Sequence, residues 1–191
     1  MSAHTQSLAV LQCHQDTPCT AVKAITAALS WKHGRLLALT YLLQGVIGQL
    51  RIPPYRSARR VDGLWQHTCF EAFIGAKDDA EYYEFNFSPS GEWAAYGFRD
   101  YRDVEAIDVD GLEPKIAVQR NSENLELNAV IHSDRLPGLR PDVCLSLGLS
   151  AVIEDLSGSL SYWALNHPAA KPDFHHPDSF ALVLAVPDPK A

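Results

Sequence analysis

The 191-residue chain holds one methionine, Met1, and four cysteines with no CxxC spacing. Thiolate zinc chemistry is therefore not indicated. HxH, HExxH and GxSxG are all absent, so neither a zincin site nor a nucleophile elbow is encoded. No DxDxD-type acidic loop marks a calcium site. No apolar run approaches the length of a membrane-spanning helix. Basic residues are in the minority, Lys+Arg 16 against Asp+Glu 23, for a net charge of -7. Nucleic acid and anionic membrane both need a basic footprint, so neither is expected as a partner. The opening residues, MSAHTQSLAVLQCHQDTPC, lack a basic n-region and a sustained apolar core. A secretory signal is not expected there, and the reading is cytoplasmic. Cys13, Cys19, Cys69 and Cys144 are then expected reduced, with Cys69 and Cys144 as small buried hydrophobes inside apolar strands.

What is present is a 47% hydrophobic composition without repeats, low-complexity segments or a dividing linker. One domain spanning 1–191 is expected. Leu8–Gln12 is a short apolar stretch with the look of an edge strand. Ala21–Trp31 and Arg35–Gln44 flank Lys32-His33-Gly34, a hairpin signal with Gly34 at a left-handed position; helix is the alternative for the first of them. Cys69–Ile74, Tyr82–Ser88 and Trp93–Phe98 form a meander, with Ser88-Pro89-Ser90-Gly91 suited to a type I turn. Lys115–Gln119 and Leu125–His132 alternate cleanly as a hairpin. Val143–Ile153 is a long strand in which Gly148 suggests a bulge, followed by Ser161–Leu165 and Ser179–Val186. About ten strands at short spacing predict an all-β fold, an antiparallel β-sandwich or jelly roll.

Two loops stand out. Arg51–Val61 concentrates Arg51, Arg56, Arg59 and Arg60, and Pro53-Pro54 forbids ladder pairing there. Its arginines either pair with nearby acids or face a ligand. Asn166–Asp178 holds three prolines and three histidines, His167, His175 and His176. Adjacent histidines on an extended backbone point apart, so His175 and His176 do not chelate one ion. The charged run Arg99–Asp103 reads as a solvated, self-paired strand end.

The meander carries the candidate site. By parity, Phe70, Ala72 and Ile74 share one face with Tyr83, Phe85 and Phe87, and this apolar face packs on the core. The opposite face carries Glu71 and Phe73, with Tyr82, Glu84 and Asn86. Alternating polar residues commonly face water, yet carboxylates framed by large aromatics also line binding surfaces. Trp65, near His67 and just after the basic loop, is a candidate aromatic platform. Trp93 and Trp163 are weighed against burial in the core.

Three segments together resemble the DOMON-like domains akin to type 9 carbohydrate-binding modules. They are DGLWQHTCFEAFI from Asp62, YYEFNFSPSGEWAAY from Tyr82 and HPAAKPDFHHPDSFALVL from His167. The resemblance implies a jelly-roll-like sandwich that binds haem or sugar. Haem-binding relatives use a Met and a His as axial ligands, and Met1 is the only methionine, so that ligation is not available; no cofactor is the leading expectation, with haem or calcium as the alternatives. Sugar-binding relatives stack the ring on tryptophans beside Glu, Asn and Arg, parts open to Trp65, Glu71, Glu84 and Asn86.

The expected function is therefore a non-catalytic small-ligand site, for a carbohydrate or similar polar molecule. It comprises Trp65, His67, Glu71, Glu84 and Asn86, rimmed by Arg59, Arg60 and His175. Three alternatives stay open: an interaction domain with no small ligand, a haem binder and a carboxylate hydrolase. The hydrolase requires an accessible pocket in which Glu71 or Glu84 has a raised pKa.

Overall fold

The structure, a computed structural model, describes residues 6–32, 35–140 and 143–186. Twelve strands appear among them: β1 Gln6–Cys13, β2 Val22–Lys32, β3 Leu36–Gly45, β4 Cys69–Ala76, β5 Tyr82–Phe87, β6 Trp93–Asp100, β7 Asp103–Glu105, β8 Lys115–Arg120, β9 Asn124–His132, β10 Leu145–Glu154, β11 Leu160–Ala164 and β12 Leu182–Leu184. They pair antiparallel in the order β7-β6-β5-β4-β10-β11-β1-β2-β3-β9-β8, and β12 adds to β10. The expected all-β sandwich is observed, with two short strands, β7 and β12, of three residues each. No α-helix occurs among the described residues.

The path folds into two facing sheets because β1 serves both. Gln6–Leu11 pairs with β2, whereas Gln12 and Cys13 pair with β11. This strand is thus not the edge that its short apolar run suggested. Its Leu8 and Val10 are exposed while Leu11 is buried. The helical alternative for Ala21–Trp31 is also removed. From Ile25 onward every second residue is buried, through Ala27, Leu29 and Trp31, which is the period of a pleated strand. The expected left-handed Gly34 lies outside the described residues, and Arg35 takes a φ of +60°.

Two further expectations change. Cys144 is exposed, just ahead of β10, whereas Cys69 is fully buried as expected. Gly148 marks no bulge, since β10 pairs with β4 without a register shift from Leu145↔Ala76 to Val152↔Cys69. A Cβ on Gly148 would stand 3.3 Å from both Phe73 Cβ and the Ser179 carbonyl. The glycine answers to the close approach of the closing loop. The Ser88–Gly91 turn is as expected, closed by the Gly91 amide on the Ser88 carbonyl at 2.9 Å. Gly91 has a φ of +87° there, and the Arg56 amide caps the turn through the Ser90 carbonyl.

Between the sheets lies one large apolar cluster. Phe70, Ala72, Ile74, Phe85 and Phe87 supply it from one side, with Leu37, Leu39, Tyr41 and Leu43 from the other. Burying so many aliphatic and aromatic side chains is the main favourable term in folding. A second, smaller cluster sits on the outer face of the β4–β5–β6 sheet. Phe73, Tyr82 and Phe98 are buried there beneath Phe174 and Phe180 of the closing loop. Both faces of this sheet are thus covered, which is why all residues of β4 and β5 are buried.

Tyr41 links the two levels: its hydroxyl donates to the backbone carbonyl of Glu71 at 2.7 Å across the core. A buried bond of this kind contributes about 1 kcal/mol net. Tyr41→Phe is expected to lower unfolding stability by about 0.5–1.5 kcal/mol in urea titration without changing the far-UV spectrum. A larger loss, with altered strand content, would mean that the hydroxyl sets the register of β4.

Candidate functional site

The strand pairing fixes which side chains share the outer face. Glu71 lies opposite Asn86 on β5 and Ser150 on β10. Glu84 lies opposite Phe73 on β4 and Tyr96 on β6. Phe98 and Tyr162 follow from the same parity on β6 and β11. Over this floor a cavity of 420 Å³ opens, walled by Trp65, Tyr96, Phe98, Tyr162 and Phe174, with Glu71, Glu84, Arg102 and His175 as its polar groups.

The floor is buried and sparsely bonded. Glu71 is 2% exposed and Glu84 6%. The Asn86 amide donates to Glu84 Oε1 at 2.6 Å, and the Cys69 thiol lies 3.4 Å from Asn86 Oδ1. Ser150 donates to Glu71 Oε2 at 3.3 Å. Burial first, and then the charge of Glu84, push the Glu71 carboxyl well above the usual range. Burial raises Glu84 as well, opposed by the Asn86 bond and the charge of Arg102.

The closing loop delivers His175. The Asp173 carboxylate accepts from the His175 backbone amide at 3.2 Å, from the Tyr101 hydroxyl at 2.7 Å and from Arg102 at 2.8 Å. Burial opposes ionisation of Asp173, but these donors win and hold its pKa below the usual value. The His175 ring then meets Tyr82, whose hydroxyl is 2.9 Å from Nδ1. That hydroxyl also accepts the Arg102 amide at 3.2 Å. In the tautomer in which Tyr82 donates to Nδ1, the ring carries its proton on Nε2, facing Glu84 Oε2 at 3.5 Å. Burial and the Arg102 charge pull the His175 pKa down to about 4. A neutral imidazole therefore faces Glu84, and the contact is not an ion pair.

Of the residues singled out in the sequence, Trp65, Glu71, Glu84 and His175 line the cavity. Asn86 is fully buried beneath it and orients Glu84. Trp65 sits on a short 3-10 turn, Leu64–Gln66, set by Gly63 at a φ of +77°, and is 51% exposed. Trp93 and Trp163 are both buried. His67 and the two rim arginines are engaged elsewhere. His67 lies 2.8 Å from Glu154 Oε2, and Arg59 makes two bonds, at 2.8 and 2.7 Å, to Glu92 Oε1. Arg60 stands just outside, 3.3 Å from Asp62, whose carboxylate accepts the Tyr96 hydroxyl.

Tyr96, Phe98 and Arg102 were not singled out. The first two follow from parity once Trp93–Phe98 is paired with Tyr82–Phe87. Arg102 gave no such signal, because the run Arg99–Asp103 reads as self-paired. That holds for Arg99 with Asp103 at 3.1 Å, whereas Arg102 reaches Asp173 in the distant loop.

Among the described residues no three His, Cys, Asp or Glu side chains are grouped to hold a metal ion. No helix there is long and apolar enough to cross a membrane. Neither a family model nor a curated protein matches the chain in sequence. Solved structures do resemble it. One is that of a candidate carbohydrate-binding protein from Bacteroides uniformis, with a TM-score of 0.64 at 17% identity, covering 92% of this chain and 83% of that one. A second is a carbohydrate-binding module of family 9 from Caldicellulosiruptor kristjanssonii in complex with glucose. It aligns at a TM-score of 0.49 and 11% identity over 82% of this chain and 74% of the module. The chain therefore shares its sandwich fold with the Bacteroides protein.

Proposed function

We propose that the outer-face cavity binds a small polar ligand of the carbohydrate class. One observation carries this reading. A half-exposed tryptophan shares a 420 Å³ cavity with two buried carboxyl groups. A sugar offers an apolar ring face for stacking on Trp65 and hydroxyls for Glu71, Glu84, Arg102 and the Nε2–H of His175. The volume is within the range of small-ligand pockets, about 300–1,000 Å³. The carbohydrate-binding description of the Bacteroides fold neighbour is consistent with this ligand class.

Calorimetry and thermal shift with glucose, galactose and cellobiose test the proposal. Trp65→Ala is expected to weaken binding at least about tenfold, near 1.4 kcal/mol. Because the ring is half exposed, Tm is expected to move by less than about 2 °C. Unfolding of the variant would assign Trp65 to the scaffold and remove the platform.

The raised carboxyl of Glu71 adds a stability test. In the unfolded chain a Glu ionises near pH 4.3, about the model-peptide value. In the folded protein its pKa is higher, so stability is lost as pH rises from the unfolded toward the folded value. Glu71→Gln removes that loss. Its Tm is expected to exceed that of the parent by about 2 °C or more at about pH 8, with little difference at about pH 4. An unchanged difference across that interval would mean that Glu71 titrates normally.

A second reading has specific support. Glu71 and Glu84 line one cavity, and Glu71 is raised the further of the two, as a general acid paired with a more readily ionised carboxylate would be. Turnover of aryl glycosides that is lost in Glu84→Gln would replace the binding reading with this one.

A further inference from the structure

Four glutamates are buried on strands and turns of the second sheet, and they divide into two kinds. Glu92 accepts from Arg59 at 2.7 Å and lies 3.8 Å from Arg56. Glu154 lies 3.2 Å from Arg51 and 2.8 Å from His67. Both have a cationic or cation-capable partner at the edge of the sheet. Glu71 has none, and Glu84 has only the ring of His175 at 3.5 Å and the charge of Arg102, which is itself paired with Asp173. Among the described residues Glu71 makes no ion pair, and its Oε1 has no hydrogen-bond donor although the residue lines the cavity. Glu84 accepts from the Asn86 amide and faces the neutral ring of His175.

The surroundings of this pair favour positive charge. Arg102 is the one cation on the cavity wall among the described residues, and it is held by Asp173. Of the other groups that face the pair, burial raises the pKa of Cys69, Tyr82 and Tyr96, and of Tyr41 behind β4, so all four are neutral. The walls are aromatic: Trp65, Phe98, Phe174 and Tyr162 present ring faces or edges to the same space. A carboxyl pair without a counterion, enclosed by aromatic rings, has the chemistry of an ammonium site.

We propose that the ligand of this cavity bears a protonated amine, and that the amine is seated against Glu71 and Glu84. This rests on the carbohydrate reading above and narrows it to amino sugars. An ammonium there favours the ionised form that burial opposes, so its binding is coupled to the release of any proton the pair carries. It also gives the two buried carboxylates the counterion that Glu92 and Glu154 draw from arginine.

Calorimetry on the intact chain tests this with three probes: glucosamine, glucose and tetramethylammonium. Glucosamine is expected to bind at least about tenfold more tightly than glucose at neutral pH. Its binding enthalpy is expected to vary between phosphate and Tris buffers in proportion to the proton released. Glu71→Gln and Glu84→Gln are each expected to weaken glucosamine binding more than glucose binding, which erases the preference. Equal binding of glucosamine and glucose overturns the ammonium proposal and leaves the sugar reading intact. Binding of tetramethylammonium without either sugar supports the ammonium site and removes the sugar reading. No binding of any probe overturns both.

Discussion

A pleated strand offers its two sides alternately, and the β4–β5–β6 sheet has both sides covered. Everything at the site depends on that constraint. Each strand must satisfy the core with one set of side chains and the outer cavity with the other, in strict alternation. Phe70, Ala72 and Ile74 meet the core; Glu71 and Phe73 meet the outer face. A slip of one residue in β4 would put Glu71 into the inter-sheet core, where no donor waits for it. The register is therefore fixed from two directions, by the apolar core and by the Asn86 and Ser150 neighbours of Glu71. The Tyr41 bond to the Glu71 carbonyl holds the same residue from behind.

The second constraint is the cover. Without the Asn166–Asp178 loop, Phe73 and Phe98 would lie in water and the glutamates would be solvated. The loop is irregular and proline-rich, so its backbone groups cannot satisfy one another in a ladder. Asp173 takes over this task. Its carboxylate collects the Tyr101 hydroxyl, the Arg102 guanidinium and the His175 amide, and Ser179 donates to its carbonyl at 3.0 Å. One acid thereby ties the loop to the end of β6 and sets His175 over Glu84. The result is a low-dielectric roof in which polar contacts are stronger and unpartnered charge is costlier.

Much of this was legible in the residues. The alternation in β4 and β5 identified both faces and hence Glu71, Glu84 and Asn86 before any coordinates, because parity depends only on strand assignment. Trp65 was legible as the one tryptophan in a Gly-containing turn beside the meander. His175 was drawn from its loop, though its reason, the Tyr82 relay, was not visible. What escaped is non-local. The pairing of Arg59 with Glu92, and of His67 with Glu154, depends on how the basic loop crosses the Ser88–Gly91 turn and the end of β10. Local charge patterning around Arg102 pointed to its neighbours rather than to Asp173. The dual role of β1 was hidden for the same reason, since a single short strand carries no record of which sheet each end joins.

These losses and gains share a cause in how charge is distributed over the sheet. The basic loop has four arginines, and three of them, Arg51, Arg56 and Arg59, lie within ion-pair distance of buried glutamates at the sheet's margin. An arginine's five donors and permanent charge make it suited to that role, and its long side chain reaches the edge of the face without covering its middle. At the centre the basic loop supplies no cation, and Arg102 of the β6–β7 turn is held by Asp173. A fold selected only for stability would have apolar residues there, since buried carboxyls without partners oppose folding. Glu71 and Glu84 stand where Phe73, Phe98 and Phe174 would pack as well against apolar side chains. That local conflict, set within a sheet whose other buried acids are paired with arginine, is the physical ground for the binding proposal.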